Sequence, residues 1–269
     1  MNRSDLIYQI KTKKNFLCVG LDPDMTKLPK HLVQEEDPIY EFNRKIIIAT
    51  APFCVSFKPN TAFYEAYGLT GIASLEKTIK FIKTNYPNHF VIADAKRGDI
   101  GNTSTMYAKA FFNRLNADAI TVAPYMGRDS VKPFLQFENK WAIVLGLTSN
   151  EGSIDFQQQK INGRELYLNV IETCASWGTE NNMMFVVGAT KAQMLAEIRK
   201  IIPSHFLLVP GIGAQGGSLA DVCKYGLNKD VGLLVSSSRA VIYAASGKDF
   251  AEKAAQEAKK VAEEMASLL

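Results

Sequence analysis

The stretch VIADAKRGDIGNTS, Val91 to Ser104, sets four charged residues, Asp94, Lys96, Arg97 and Asp99, directly behind an apolar run. Removing a charge from water is costly unless a partner or a reaction compensates for it. Asp94 and Lys96 are two apart, so on a strand both point to the same face. Asp99 follows Gly98, where the chain must turn toward the next element. Lys58, in the FKPN segment of another apolar run, can approach Asp94 from the side. The expected result is an alternating row of Lys58, Asp94 and Lys96, joined by Asp99 if the turn brings it back. Such a row is either an ion-pair network tying strand to loop or the charged part of a reaction centre. Against the first reading, apolar packing is often as stable as two desolvated pairs. Arg97 points to the opposite face and reads as a structural bystander.

These residues need a scaffold, and the rest of the chain supplies a regular one. Short apolar runs recur at Phe16–Asp22, Cys54–Asn60, Phe90–Lys96, Ala119–Pro124, Trp141–Ser149, Met184–Thr190, Phe206–Gly213 and Val231–Ser238. Their near-continuous hydrophobicity fits parallel strands buried on both faces. Helical patterns alternate with them at Pro38–Thr50, Thr70–Asn85, Thr103–Leu115, Ser130–Phe137, Gly163–Asn181, Lys191–Ile202, Gly217–Tyr225 and Lys248–Leu269. Ser130 and Thr190 are the expected helix caps. The pattern predicts an α/β fold, a single (β/α)8 TIM barrel domain over residues 1–269, with an extra N-terminal helix at Arg3–Lys13 under the barrel floor. The alternative is an open doubly wound sheet. Barrel chemistry gathers at the C-terminal ends of the strands. There the polar residues fall: Asp22, Lys58, Asp94 with Lys96, Thr148–Ser149–Asn150, and SSSR ending in Arg239.

Composition narrows the function classes. At 269 residues and 47% hydrophobic, the chain can bury a sizeable core. A net charge of +4 is too small and too dispersed to suggest nucleic acid or membrane as a partner. The four cysteines, Cys18, Cys54, Cys174 and Cys223, show no metal or redox spacing and read as buried reduced thiols. The opening residues lack the apolar core of a signal peptide, and no window approaches 18 uninterrupted apolar residues, so a cytoplasmic protein is expected. His31, His89 and His205 sit at helix ends or strand starts, which disfavours a His-based triad. No H-E-x-x-H or paired C-x-x-C spacing occurs, so no metal site is expected.

The segment GIGAQG, Gly211 to Gly216, matches G-x-G-x-x-G, with Asp230 downstream. As a dinucleotide fingerprint it is weak. Asp230 precedes a strand, whereas a ribose-binding acid belongs at a strand end. Barrels commonly bind phosphate with the loops after strands seven and eight. Backbone N–H groups of the glycines and the planar fork of Arg239 suit a phosphorylated ligand better.

Together these residues resemble the orotidine 5′-phosphate decarboxylase family. Its pattern D-x-K-x-x-D-I-x-x-T after strand three of a (β/α)8 barrel matches DAKRGDIGNT, and the form with Arg-Gly between Lys and Asp resembles its longer bacterial subfamily, type 2. LDPD at Asp22, FKPN at Lys58, LTSN at Ser149, PGIGAQGG at Gln215 and SSSRA at Arg239 extend the likeness over nearly the whole chain. The resemblance implies conversion of orotidine 5′-monophosphate to UMP and CO2 without metal or cofactor. It implies that Lys96 protonates C6, that Asp94 sits beside the departing carboxylate, and that Lys58 and Asp22 contact ribose. Ser149 would read the pyrimidine amide, and Gln215 and Arg239 would hold the phosphate. Asp99 and Thr103 would act in the site of a partner subunit, making a homodimer. Three alternatives stay open: a magnesium-dependent sugar-phosphate decarboxylase or synthase of the same superfamily, a Schiff-base lysine at Lys96, and a non-catalytic nucleotide-binding barrel.

Overall fold

The computed structural model describes residues 1–212 and 216–269. Eight parallel strands close into a barrel: β1 Leu17–Leu21, β2 Ser56–Pro59, β3 Phe90–Arg97, β4 Ala119–Val122, β5 Trp141–Leu147, β6 Met183–Val187, β7 Phe206–Pro210 and β8 Leu233–Ser237. Each strand pairs with its neighbours in sequence. Leu17 opposite Val235 closes the ring from β8 to β1. The doubly wound alternative is therefore excluded. Every position of β1, β2, β4, β6 and β8 is buried, as strands covered on both faces require. Near the floor, Trp141 of β5 meets Phe90 of β3 and Phe206 of β7 edge-on, so alternate strands fill one interior layer.

The extra helix is Arg3–Lys13, started by a capping box between Asn2 and Asp5. It lies under the floor, with Arg3 donating to the carbonyls of Glu180 and Ser204 and Lys13 to those of Ala51 and Cys54. Asp37 and Ser218 cap the helices Pro38–Thr50 and Leu219–Gly226. The long last helix, Phe250–Leu268, packs on Pro38–Thr50 through stacked Phe250 and Phe42 rings 5.3 Å apart.

Several outer elements differ from expectation. Ser130 is not a cap. Gly127 (φ 87°) starts the short helix Arg128–Val131, and buried Ser130 donates back to its carbonyl at 2.7 Å. Thr190 lies inside a 3-10 turn, Ala189–Met194, and the α-helix starts only at Leu195. The expected helix Gly163–Asn181 shrinks to Leu166–Ala175. Asn162 and Gly163, both with positive φ, instead turn a two-stranded ribbon of Lys160–Ile161 and Arg164–Glu165. The helix after β3 runs from Gly101 to Ala108, then widens into a π-helix, Lys109–Arg114. That wider turn accommodates the adjacent Phe111 and Phe112, both buried.

Candidate active site

The charged residues converge where β2 and β3 leave the barrel. Lys58 Nζ donates to Asp94 Oδ2 at 2.7 Å, and Lys96 Nζ donates to Asp94 Oδ1 at 2.6 Å. Lys58 and Asp94 are buried, whereas the Lys96 side chain is 51% exposed. Burial would raise the Asp94 carboxyl, but Lys58 and Lys96 outweigh it and hold the group well below the usual carboxylate range. Burial would likewise lower Lys58, yet Asp94 and then Asp22 keep it above an ordinary lysine. Three of the expected four members of the row are thus in contact.

Asp99 is not in that contact set. Its carboxylate accepts from the backbone N–H of Ile100 at 2.7 Å, and Ser104 bonds its backbone. Thr103 is exposed on the helix that follows. Arg97 turns away from the row, where it pairs with Glu65 and lies over the Tyr107 and Phe111 rings.

A cleft of about 370 Å³ opens on the same rim, lined by Asp22, Lys58, Phe63, Ile212, Arg239 and Tyr243 among others. Lys96 is outside this lining and reaches the row from its solvent side. Asp22 Oδ1 is buried without a hydrogen-bond partner among the described residues, an acceptor suited to a hydroxyl donor. Arg239 is exposed at the start of a short helix, Arg239–Ile242, directly after β8. Gly20 permits this seam. A Cβ there would stand 1.7 Å from Ser238 Oγ, so only glycine lets the Arg239 turn lie against β1. Ser149 follows β5, close against Gly188 after β6. Gln215 lies outside the described residues. Asp230 bonds Arg3 at 3.1 Å on the floor, which removes the dinucleotide reading of the glycine motif. Among the described residues, no three His, Cys, Asp or Glu side chains group as metal ligands. No helix there is long and apolar enough to cross a membrane. A larger groove, about 520 Å³ and lined by Glu35, Tyr40 and Lys77 among others, contains none of these candidate residues.

Sequence reasoning missed two residues. Tyr243 donates to the Asp22 carbonyl at 2.8 Å and accepts from Asp24 N–H at 2.7 Å, fixing the loop after β1. Thr121, buried on β4, donates to Asp94 Oδ1 at 2.9 Å. A hydroxyl within the apolar run AITVAP was the available signal for it.

Comparison with known proteins agrees with this geometry. The model of the orotidine 5′-phosphate decarboxylase / HUMPS family matches residues 15–255. Over 269 residues the chain is 64% identical to an orotidine 5′-phosphate decarboxylase of Flavobacterium johnsoniae, covering 100% of this chain and 98% of that one. Identity to the Phocaeicola vulgatus enzyme of the same name is 57%, covering 100% and 99%. The structure of Leishmania donovani OMP decarboxylase superposes with a TM-score of 0.81 at 37% identity, covering 97% of this chain and 99% of that one. A rim that carries the family's D-x-K-x-x-D pattern on the third strand of a closed barrel, with likeness running nearly end to end, has one home: this chain belongs to the orotidine 5′-phosphate decarboxylase / HUMPS family.

Proposed function

We propose that the chain decarboxylates orotidine 5′-monophosphate to UMP and CO2 in pyrimidine biosynthesis, with residues 1–269 acting as one barrel domain. One observation carries the reading: Asp94 is held between buried Lys58 and half-exposed Lys96 at the strand ends. Losing CO2 from C6 leaves a vinyl-type carbanion with no electron sink in the ring. The Lys96 ammonium beside C6 stabilises that charge as it develops and then protonates the carbon. Asp94, ionised between its lysines, stands beside the substrate carboxylate. Lys58 and Asp22 take ribose hydroxyls, and the orphaned Asp22 oxygen supports that role. Arg239, with Gln215, grips the phosphate, remote binding energy that orients the pyrimidine. Ser149 reads the pyrimidine amide.

The enzyme acts as a homodimer in which Asp99 and Thr103 serve the partner's site. Supporting this, Asp99 has no cation partner among the described residues. Ile100, Met106, Tyr125 and Met126, after β3 and β4, are 58%, 56%, 90% and 51% exposed, an apolar surface suited to a second copy.

The test is loss of orotidine 5′-monophosphate ultraviolet absorbance, run with EDTA and no added cofactor. Turnover is expected to persist. A requirement for a divalent metal would favour a magnesium-dependent sugar-phosphate enzyme, borohydride trapping of an adduct would favour a Schiff base, and UMP binding without turnover would favour a non-catalytic barrel. Mixing inactive Lys96→Ala and Asp99→Ala chains is expected to restore partial activity, because one site of each mixed dimer regains both groups. Mixed dimers without recovery would confine Asp99 to its own subunit.

A further inference from the structure

We propose that Thr121 is a positioning residue whose hydroxyl fixes Asp94 and Lys96 in a single arrangement; the proposal rests on the decarboxylase reading above. Between β3 and β4 the ladder is regular at Ala93 opposite Ile120 and resumes at Arg97 opposite Val122. Three residues of β3, Asp94, Ala95 and Lys96, therefore face the single residue Thr121. A bulge of this kind re-aims side chains and leaves ladder groups without regular partners.

Lys96 lies within the bulge at φ 47°, a left-handed conformation that a non-glycine residue adopts only when its surroundings impose it. The Thr121 hydroxyl supplies that imposition from both directions. It accepts from the Lys96 backbone N–H at 2.9 Å and donates to Asp94 Oδ1 at 2.9 Å. The same Asp94 oxygen receives the Lys96 ammonium at 2.6 Å. One buried hydroxyl thus ties the backbone of the proton donor to the carboxylate that orients its side chain. Thr121 is 1% exposed, so water does not readily replace it. Its own strand places it rigidly, because Thr121 pairs in register with Ile143 of β5.

The test compares Thr121→Val, nearly isosteric but without the hydroxyl, with Thr121→Ser, which keeps it, and Thr121→Ala as a second hydroxyl-free variant. Thr121→Val and Thr121→Ala are expected to lower kcat roughly 10- to 100-fold with KM within about threefold, the signature of a lost alignment rather than lost binding. Thr121→Ser should recover kcat to within about threefold. Amide hydrogen exchange at Lys96 should be slow in wild type and Thr121→Ser and at least about tenfold faster in either hydroxyl-free variant. If Thr121→Val fails to fold, the same kcat and exchange criteria apply to Thr121→Ala. A hydroxyl-free variant with wild-type kcat and wild-type Lys96 exchange would overturn the proposal, as would failure of Thr121→Ser to restore either. If wild-type protein shows no turnover, the decarboxylase reading fails by itself, and Lys96 exchange still decides whether Thr121 holds the bulge.

Discussion

Two aspartates at opposite ends of the barrel solve the same electrostatic problem with different outcomes. Asp118, on the floor, is 1% exposed and accepts from the Met1 ammonium at 2.8 Å, Lys83 at 2.9 Å and the Val91 backbone N–H at 2.9 Å. Asp94, on the rim, accepts from Lys58, Lys96 and Thr121. Each carboxylate has two cations and one neutral donor. On the floor both cations are mostly covered, at 6% and 19% side-chain exposure, and a main-chain donor closes the set. On the rim one cation stands half in solvent on a strained backbone position. A buried carboxylate therefore reads as structural when its partners close around it. It reads as functional when one of them is left able to meet a ligand.

That contrast can be broken by measurement. Lys96→Ala is expected to lower kcat by roughly 10³-fold or more while the melting temperature moves by only a few degrees. Asp118→Ala should do the reverse, costing about 3 kcal/mol because two cations lose their counter-charge. The corresponding fall in melting temperature is roughly 6–12 °C, with kcat of the folded fraction unchanged. A kcat loss in Asp118→Ala, or unfolding in Lys96→Ala, would erase the distinction between the two ends.

A smaller effect sharpens the floor side. Burial, and then Lys13 2.9 Å away, drop His89 to about 4 from an ordinary 6.5. The ring is neutral in the folded chain but takes a proton in the unfolded chain between those values. Stability should therefore fall as pH drops through that window, by up to about 1.4 kcal/mol per pH unit for this one proton, and be independent of His89 above it. Burial holds His205 near 4 as well, so it adds a second such proton. Denaturant midpoints from about pH 7 to about pH 4.5 should show the combined slope, and His89→Gln should reduce it by the His89 share. An unchanged slope would mean that other groups set acid stability. Smallest of all, Glu65→Gln removes the outward partner of Arg97 and should change stability by less than about 1 kcal/mol and kcat by less than about twofold. A larger kcat loss would bring Arg97 into the site.

The barrel was legible because eight apolar runs carry their own burial pattern, and the strands fall within a few residues of it. The charge row was legible from residue types, yet the reason for its geometry was not. Alternation along a strand places Asp94 and Lys96 together, whereas the chain does so through a bulge that period-two reasoning does not contain. Thr121 looked like any β-branched strand residue, since a hydroxyl's partners depend on the register of the neighbouring strand. The Asn162–Gly163 turn was visible as a dipeptide but was overridden by the helical pattern around it. Ser130 has a capping side chain but spends it one turn inside the helix, because Gly127 already provides the start.

The seam that joins Leu17 to Val235 has a consequence for how the chain is made. The first strand leaves the ribosome long before the last one exists, so its edge stays open to other chains throughout synthesis. Lys58 and Asp94 meet across adjacent strands and need no late segment to neutralise each other. Asp22 and Arg239 flank the seam itself, so the cleft they line exists only after closure. On the ribose and phosphate roles proposed for them, a nucleotide spanning the two would bind the finished ring and not its precursors, and its concentration would then set how firmly newborn chains stay closed.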